Sequence, residues 1–221
     1  MEYTWDFSAV LANRQLLLLG VRNTVVLGLV CLVIGLFFGL FVGAARYSRN
    51  PVFHWPATAF VEVFRNTPVL VQIVWFFFAF PIISPFEINA FTAAALGLSL
   101  NTTAFCSEIY RAGIQSIARG QIAAGYALGL NYWQNMGLIV LPQAFRNMIP
   151  VLLTQTIILF QDTSLVYVIS ATDFLGAASK VANRDYRLVE MYVFVAIVYF
   201  VISYSLSALV RRLQDRVAVI R

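Results

Sequence analysis

The chain of 221 residues is 61% apolar and only 11% charged, with a formal net charge of +5. Soluble domains carry about a quarter charged residues, so this composition excludes an ordinary water-soluble globule and favours a polytopic membrane protein. The cations are spread along the chain and form no basic patch interleaved with aromatics, which argues against nucleic acid as a partner.

Five long apolar runs predict the membrane-spanning helices of a single all-α domain, residues 1–221. Each run is about twenty residues or longer, enough at ~1.5 Å per residue to cross a ~30 Å hydrocarbon core. In chain order they cover residues 23–45, 66–86, 88–107, 147–172 and 191–210. The fourth run contains one charge, Asp162, and exceeds what a span needs, so we expect it to tilt or break.

The first segment, residues 1–20, is expected to lie at the membrane interface. It carries Glu2 and Asp6 and lacks a basic n-region, which argues against a cleaved signal peptide. Its apolar run at residues 16–19 is too short to span.

Small residues within the apolar runs predict close helix packing. In the first run, glycines recur at intervals of seven and four, on one helix face that another helix can approach closely: Gly28, Gly35, Gly39 and Gly43. Cys31 and Cys106 lack metal-ligand spacing and are expected to be small core residues, with a disulfide between them as the alternative.

Two polar stretches flank the spans. Before the second run, Glu62 and Arg65 lie three residues apart on a predicted helix and are expected to pair. Pro68 breaks the second run near its start and frees a backbone carbonyl that can face a cavity. Residues 173–190 are polar and are expected to form an external loop with a short helix.

The segment between the third and fourth runs, residues 108–146, is too polar to lie in lipid. A small-residue helix is predicted to begin at Gly120 and to end at Gly129, where glycine supplies the left-handed turn of a helix C-terminus. A second helical stretch runs to Ile139, and Pro142 is expected to stop it because proline cannot continue a helix. The segment is therefore predicted to be a helix-turn-helix hairpin at a membrane face.

This hairpin resembles the cytoplasmic Glu-Ala-Ala loop of ABC importer permeases. The resemblance rests on the spacing of Ala123-Ala124-Gly125, Gly129, Ile139 and Leu141-Pro142. The flanking residues 108–111, 120–121 and 141–146 resemble the polar amino-acid branch, and residues 111–117 and 160–168 are most similar to glutamate/aspartate permeases. One departure is that Ala123 stands where the family motif has Glu, so a salt bridge from this position to the ATPase is not expected.

The resemblance implies a type I ABC importer permease fold in a bacterial inner membrane, with a cytoplasmic coupling helix that docks on a separate ATPase. Two ATPase subunits are expected; they would bind ATP and Mg, and this chain would hold no cofactor. An extracytoplasmic amino-acid-binding protein is implied, as is a second permease chain, either a homologue or another copy of this one. The motif assigns ATPase coupling to Gly120, Gln121, Ala123, Ala124, Gly125, Ala127, Leu128 and Gly129.

Asp162 is the residue of the spans that most needs a role. A carboxylate near a helix centre costs roughly 2.5–3.5 kcal/mol on insertion scales, so it should be paired or line an aqueous path. One hypothesis is that Asp162 caps the second half of a broken helix, since Asp-Thr-Ser is a strong N-cap composition. The other, compatible with the first, is that it binds the transported solute, because broken helices at the membrane midplane are common solute sites.

Under the solute hypothesis, Asp162 and Gln155 receive the ammonium of an amino acid. Leu159 lies on the same helix face. Asn66 and Asn101 would supply donors or acceptors from neighbouring helices. An acidic solute would also need a cation, and Arg65 is the arginine placed to reach inward.

The predicted function is that of the permease subunit of an ATP-driven importer of polar amino acids, with glutamate or aspartate as the expected solute. No nucleotide-binding loop occurs, and the single histidine, His54, leaves no triad or metal constellation, so an enzyme is not expected. An ion-coupled secondary amino-acid carrier is the alternative, against which the small size and the lack of inverted repeats argue. Of the 15 cations, ten lie on the hairpin side and five on the other, which predicts a cytoplasmic C-terminus and an external N-terminus.

Overall fold

The computed structural model describes residues 4–218, and no strand occurs among them. The predicted all-α class is therefore confirmed over this part of the chain. Met1, Glu2 and Arg221, which entered the sequence arguments, lie outside the described residues. The helices, in chain order, are α1 (Ser8–Ala12), α2 (Arg14–Tyr47), α3 (Pro51–Asn66), α4 (Val69–Ile83), α5 (Ala90–Gln115), α6 (Arg119–Ala127), α7 (Tyr132–Ile169), α8 (Phe174–Asp185) and α9 (Leu188–Ala218).

Within the part of the chain that the structure describes, three helices are long and apolar enough to cross a membrane by themselves: α2, α7 and α9. The helices α3 and α4 form a fourth span if this pair, bent by 102°, counts as one. The 26-residue α5 has sufficient length, but most of its buried positions are Ala, Ser, Thr or Asn, which lowers its apolarity. The predicted count of five spans therefore stays a prediction that depends on α5 and on the bent pair.

The first long helix begins earlier than expected. α2 has 34 residues, about 50 Å at ~1.5 Å per residue, and it includes the run that was assigned to the interface. Leu17 and Gly20 are buried there, and a Cβ at Gly20 would lie 2.7 Å from the carbonyl oxygen of Asp173. Packing against the start of α8 thus extends the helix, and only the short α1 stands apart from it.

The glycine stripe of α2 makes a close helix contact with α5. A Cβ at Gly35 would lie 2.8 Å from Thr102 Cβ of α5, and one at Gly39 would lie 2.7 Å from Cys106 Cβ. Gly43 is buried against α5 as well, so close packing is confirmed for these three positions. At Gly28, a Cβ would meet only Thr163 Cγ2, at an ordinary 3.8 Å.

Both cysteines are free and buried. Cys31 lies in the core between α2 and α5, and Cys106 lies under Gly39. The expectation that they are small core residues is confirmed, and the disulfide alternative is wrong.

Pro142 does not end the second helix of the hairpin; this prediction was wrong. α7 continues through it, and a π-helical segment, Met136–Val140, directly precedes it. A proline ring clashes with the carbonyl four residues earlier in a regular α-helix, and the wider π turn relieves this clash. The same arrangement recurs in α4, where the π-helical segment Trp75–Ala79 precedes Pro81.

Residues 173–190 contain the predicted short helix, α8, but they are not a solvated loop. One face of α8 is buried against α2 and α9 through Phe174, Ala177 and Val181. Asp173 caps this helix by accepting hydrogen bonds from the backbone N–H groups of Gly176, at 2.9 Å, and of Leu175. Burial raises the pKa of Asp173 to about 6, and the backbone hydrogen bonds oppose this rise.

The stripe predicts that Gly35→Ala destabilises the protein whereas Gly28→Ala does not. The added methyl at position 35 meets the branched side chain of Thr102, which cannot swing away, and overpacking of this kind costs about 1–3 kcal/mol. Thermal unfolding of both variants in detergent measures the difference. Equal unfolding temperatures for the two variants would contradict the proposed tight contact.

Candidate functional site

The bend between α3 and α4 shapes the candidate site. Pro68 begins the second arm, and two backbone carbonyls near it, those of Phe64 and Thr67, lose their helical partners. Gln72 Nε2 donates to both carbonyl oxygens at 2.9 Å, and Asn101 Nδ2 of α5 donates to Phe64 O at 2.9 Å. Side-chain amides thus hold the bend in place of backbone donors.

Sequence reasoning did not find Gln72. The available signal was a single amide side chain within the apolar stretch at residues 69–74, where an unpaired polar group would be costly.

The structure brings five of the six side chains that were predicted to bind solute around one cavity of about 420 Å³. They are Arg65, Asn66, Asn101, Gln155 and Asp162. The bend places the first two at the end of α3, opposite α7, with α5 between them. A binding role for these residues stays a prediction, but their convergence from three helices is a property of the fold.

Leu159 does not line this cavity. It is 2% exposed and packs in the core with Leu27, Leu98 and Val166. The helix face that was predicted from spacing therefore holds for Gln155 and Asp162, while Leu159 is turned to the inner side of α7.

The capping hypothesis for Asp162 is wrong. α7 passes at Asp162 directly into a 3-10 segment, Thr163–Ile169, and the carboxylate caps no N–H group there. The backbone at Asp162 is helical, so no free helix N-terminus exists at this point. The half-buried carboxylate instead borders the cavity.

Arg65 supplies a positive charge to the cavity wall. Its guanidinium lies 5.3 Å from the ring centroid of Phe105, and its Nη1 lies 3.8 Å from Glu108 Oε2. The predicted Glu62–Arg65 pair does not form. Glu62 instead pairs with Arg46 at 3.6 Å and accepts a hydrogen bond from Asn66 Nδ2 at 2.9 Å.

A second cavity, of about 380 Å³, continues the first along α5 and α7. Arg65, Phe105 and Gln155 line both cavities. The second cavity reaches Ser116 and Asn147, whose side chains are joined by a 2.9 Å hydrogen bond at the start of the hairpin segment.

Glu108 is the centre of an ion-pair cluster beside the second cavity. Arg46 and Arg111 both pair closely with its carboxylate, and Arg65 is its third cation. Arg111 Nη1 also donates to Gln115 Oε1 at 2.7 Å, on the last turn of α5. Sequence reasoning used Glu108 only as part of a motif and did not predict this cluster.

The hairpin has the turn that glycine predicts. Gly129 has φ +81°, the left-handed conformation, and Leu130 N donates to Gly125 O at 3.1 Å to close the end of α6. Asn131 and Gln134 then form a capping box at the start of α7. The helix from Gly120 to Gly129 is confirmed within one or two residues.

α6 is held against α7 by Gly125 and Asn135. A Cβ at Gly125 would lie 2.7 Å from Ile139 Cδ1, and the buried Asn135 donates from Nδ2 to Ile122 O at 2.8 Å. The remaining residues assigned to coupling are exposed: Gly120, Gln121, Ala123, Ala124, Ala127, Leu128 and Gly129.

Two large apolar side chains project from this turn. Leu128 is 80% exposed, and Trp133, which the sequence reasoning did not include, is 78% exposed. Exposed apolar side chains grouped in this way are typical of a protein interaction surface.

Within residues 4–218, no group of three or more His, Cys, Asp or Glu side chains could hold a metal ion. The described site offers charged and hydrogen-bonding groups, those of Asp162, Arg65 and the amides.

Residues 35–219 match the family described as binding-protein-dependent transport system inner membrane component. The chain is 44% identical to the glutamate/aspartate import permease protein GltK of Escherichia coli O6:H1, over 98% of this chain and 100% of that protein. It is 35% identical to the glutamine transport system permease protein GlnP of Escherichia coli K12, over 98% of this chain and 99% of that protein. A crystal structure of an amino acid ABC transporter with histidines superposes with a TM-score of 0.92 and 31% identity, covering 97% of this chain and 100% of that one.

We predict that Gln72→Met loosens the bend, whereas Gln15→Met on the exposed face of α2 has no effect. The change at position 72 keeps the volume but removes the donors to Phe64 O and Thr67 O, and a buried acceptor left unsatisfied costs about 1–3 kcal/mol. Thermal unfolding in detergent tests the stability of both variants. An unchanged unfolding temperature for Gln72→Met would show that the amide does not hold the bend.

Proposed function

The chain belongs to the family of binding-protein-dependent transport system inner membrane components, and from this premise we propose that it is the permease subunit of an ATP-driven importer of polar amino acids. The permease fold predicted from the sequence is confirmed by the superposition on the amino acid ABC transporter. Because the family consists of membrane components of transport systems, the chain is not an enzyme. Its setting is the inner membrane.

The single observation that carries the solute assignment is the cavity with an acid and a base on its wall. An acidic amino acid presents an ammonium and a side-chain carboxylate, and Asp162 and Arg65 offer the opposite charges. Gln155 and Asn101 add amide groups between them. We propose that the ammonium binds at Asp162 and Gln155, with Asn66 and Asn101 completing the polar wall.

The proposed solute is glutamate or aspartate. The 44% identity to a glutamate/aspartate permease over the whole chain supports this choice. The arginine on the cavity wall also supports it, because the side-chain carboxylate of an acidic solute requires a positive partner and the side-chain amide of glutamine does not. The glutamine permease, at 35% identity, is the nearest competing assignment among these relatives.

The proposed coupling element is α6 with its following turn. Gly125 and Asn135 fix this helix to α7, while Leu128 and Trp133 present an exposed apolar surface. We propose that this apolar surface docks in a groove on a separate ATPase subunit, which would bind ATP and Mg. Ala123 replaces the acidic residue of the family motif, so shape and apolar contact would carry the docking.

The transport system that we propose has two ATPase subunits, an extracytoplasmic amino-acid-binding protein and a second permease chain. The second chain is expected because both cavities lie beside exposed residues such as Asn66 and Asn147, so another copy or a homologue would close them. The cation distribution supports a cytoplasmic hairpin and C-terminus and an external N-terminus. In that orientation, α8 lies on the external side, where the binding protein would dock.

Asp162→Asn should abolish most glutamate-stimulated ATP hydrolysis in nanodiscs that contain the assembled transporter. The neutral amide cannot balance the solute's ammonium, and losing a charge-assisted hydrogen bond of about 1.5–3 kcal/mol weakens solute binding roughly tenfold or more. Glu87→Gln, an exposed acid between α4 and α5, serves as the control and should behave like the unmodified protein.

Full stimulation in Asp162→Asn would remove this residue from the solute site. Uptake into sealed vesicles by the purified chain alone, without an ATPase or nucleotide, would instead favour the ion-coupled carrier.

Gly129→Val should uncouple ATP hydrolysis from uptake while the protein still reaches the membrane. A β-branched residue resists the left-handed conformation at φ +81°, so the turn that presents Leu128 must rearrange. Gly137→Val is the matched control, because a Cβ there also meets nothing within 4 Å and no positive φ is required. Parallel assays of ATP hydrolysis and glutamate uptake in proteoliposomes measure coupling, and full coupling in Gly129→Val would contradict the docking role.

A further inference from the structure

Arg65 occupies the boundary between the two cavities on the α5–α7 face. The cavity of about 420 Å³ contains Asp162, and the cavity of about 380 Å³ extends toward Ser116 and Asn147. Arg65 lines both, together with Phe105 and Gln155. Arg65 is thus the charged side chain that a solute would meet in both cavities.

Arg65 is partly exposed and makes only loose contacts with charged and aromatic side chains. Its single charged partner among residues 4–218 is Glu108, at 3.8 Å, which is too long for a hydrogen bond. Its other contact is the ring of Phe105, 5.3 Å from the guanidinium carbon. The side chain keeps 35% of its surface exposed, so its donors are available to another acceptor.

Glu108 does not need Arg65. Arg46 and Arg111 both pair with its carboxylate much more closely than Arg65 does. When Arg65 leaves, Glu108 remains paired on both oxygens, so no charge is stranded. Arg65 can therefore leave Glu108 and bind another anion at a low electrostatic cost.

The cluster also carries an excess of positive charge. Three arginines, Arg46, Arg65 and Arg111, face two carboxylates, Glu62 and Glu108. One positive charge is left without a full partner, and the loosely held Arg65 is the member that borders the solute cavity. An added carboxylate would balance the cluster.

We propose that Arg65 is a charge-exchange gate that sets the selectivity for acidic solutes. It releases Glu108 and binds the side-chain carboxylate of the solute while Asp162 holds the ammonium, and it returns to Glu108 when the solute has passed. This proposal rests on the proposed function, and it adds the residue that distinguishes glutamate from glutamine.

The gate is connected to the coupling segment through Glu108. Arg111 holds this carboxylate and also donates to Gln115 on the last turn of α5, close to where α6 begins. A change of partner at Arg65 thus alters the charge cluster that anchors this end of α5.

The test is the binding of L-glutamate and of L-glutamine to the nucleotide-free complex of permease and ATPase in nanodiscs, measured by calorimetry. Arg65→Gln should weaken glutamate binding about tenfold or more and change glutamine binding little, because only glutamate has the second carboxylate. Phe105→Leu, which removes the ring under Arg65, should shift selectivity in the same direction by a smaller factor. Glu108→Gln should strengthen glutamate binding, since the competing carboxylate is gone.

Arg49→Gln, an exposed arginine outside the cluster, is the control and should leave both affinities unchanged. Equal losses for glutamate and glutamine in Arg65→Gln, or no loss for either, would overturn the gate while leaving the proposed function intact. Should Arg65→Gln fail to assemble, an unaltered selectivity in Phe105→Leu would overturn it. If the unmodified complex binds glutamine in preference to glutamate, both the gate and the proposed solute are wrong.

Discussion

The carbonyl oxygen of Phe64 is the point on which the site depends. In a membrane, every backbone carbonyl must find a donor within the protein, and Pro68 leaves this one without its helical partner. Gln72 and Asn101 supply the donors from α4 and α5, so one oxygen atom joins three helices. These amides satisfy the carbonyl at the bend of 102° between α3 and α4. The same bend places Arg65 beside α7 and makes the cavity, so the cavity is a consequence of backbone hydrogen bonding.

Local sequence patterns predicted the parts of the fold that local physics decides. Uncharged runs located the long helices, and the stripe of Gly35, Gly39 and Gly43 located the close contact with α5, because small residues at helical spacing have few other uses. Gly129 was assigned its left-handed turn for a similar reason. The prediction that Pro142 ends a helix was wrong because a π-helical turn before it accommodates the proline ring. No local sequence pattern predicts that turn.

The sequence predicted which polar residues line the candidate site, but it did not predict the ion-pair partner of Arg65. Polar residues are rare in the spans, so Asn101, Gln155 and Asp162 could be named from the sequence, and they do share a cavity. Arg65 was matched with Glu62, its neighbour on the helix, whereas the fold gives it Glu108 of another helix. Spacing along one helix says which residues share a face and nothing about what approaches that face. Leu159 was wrongly predicted to line the cavity for the same reason. It lies at the edge of the helix face that Gln155 and Asp162 share, and the fold buries it in the core.

The two interfaces of α5 differ in the side chains that pack there. Against α2, glycine backbone meets the branched side chain of Thr102, a contact that cannot slide without a clash. Against α7, Gly113 meets Met148, whose long unbranched side chain adapts to new positions. The contact between α5 and α7 at this end is therefore the more adaptable one, whereas farther along α7 Leu159 and Val166 pack in the core with Leu27 of α2 and Leu98 of α5. Because α7 begins in the hairpin and carries both Gln155 and Asp162, the hairpin and one wall of the cavity belong to one continuous helix, opposite Asn101 and Phe105 of α5.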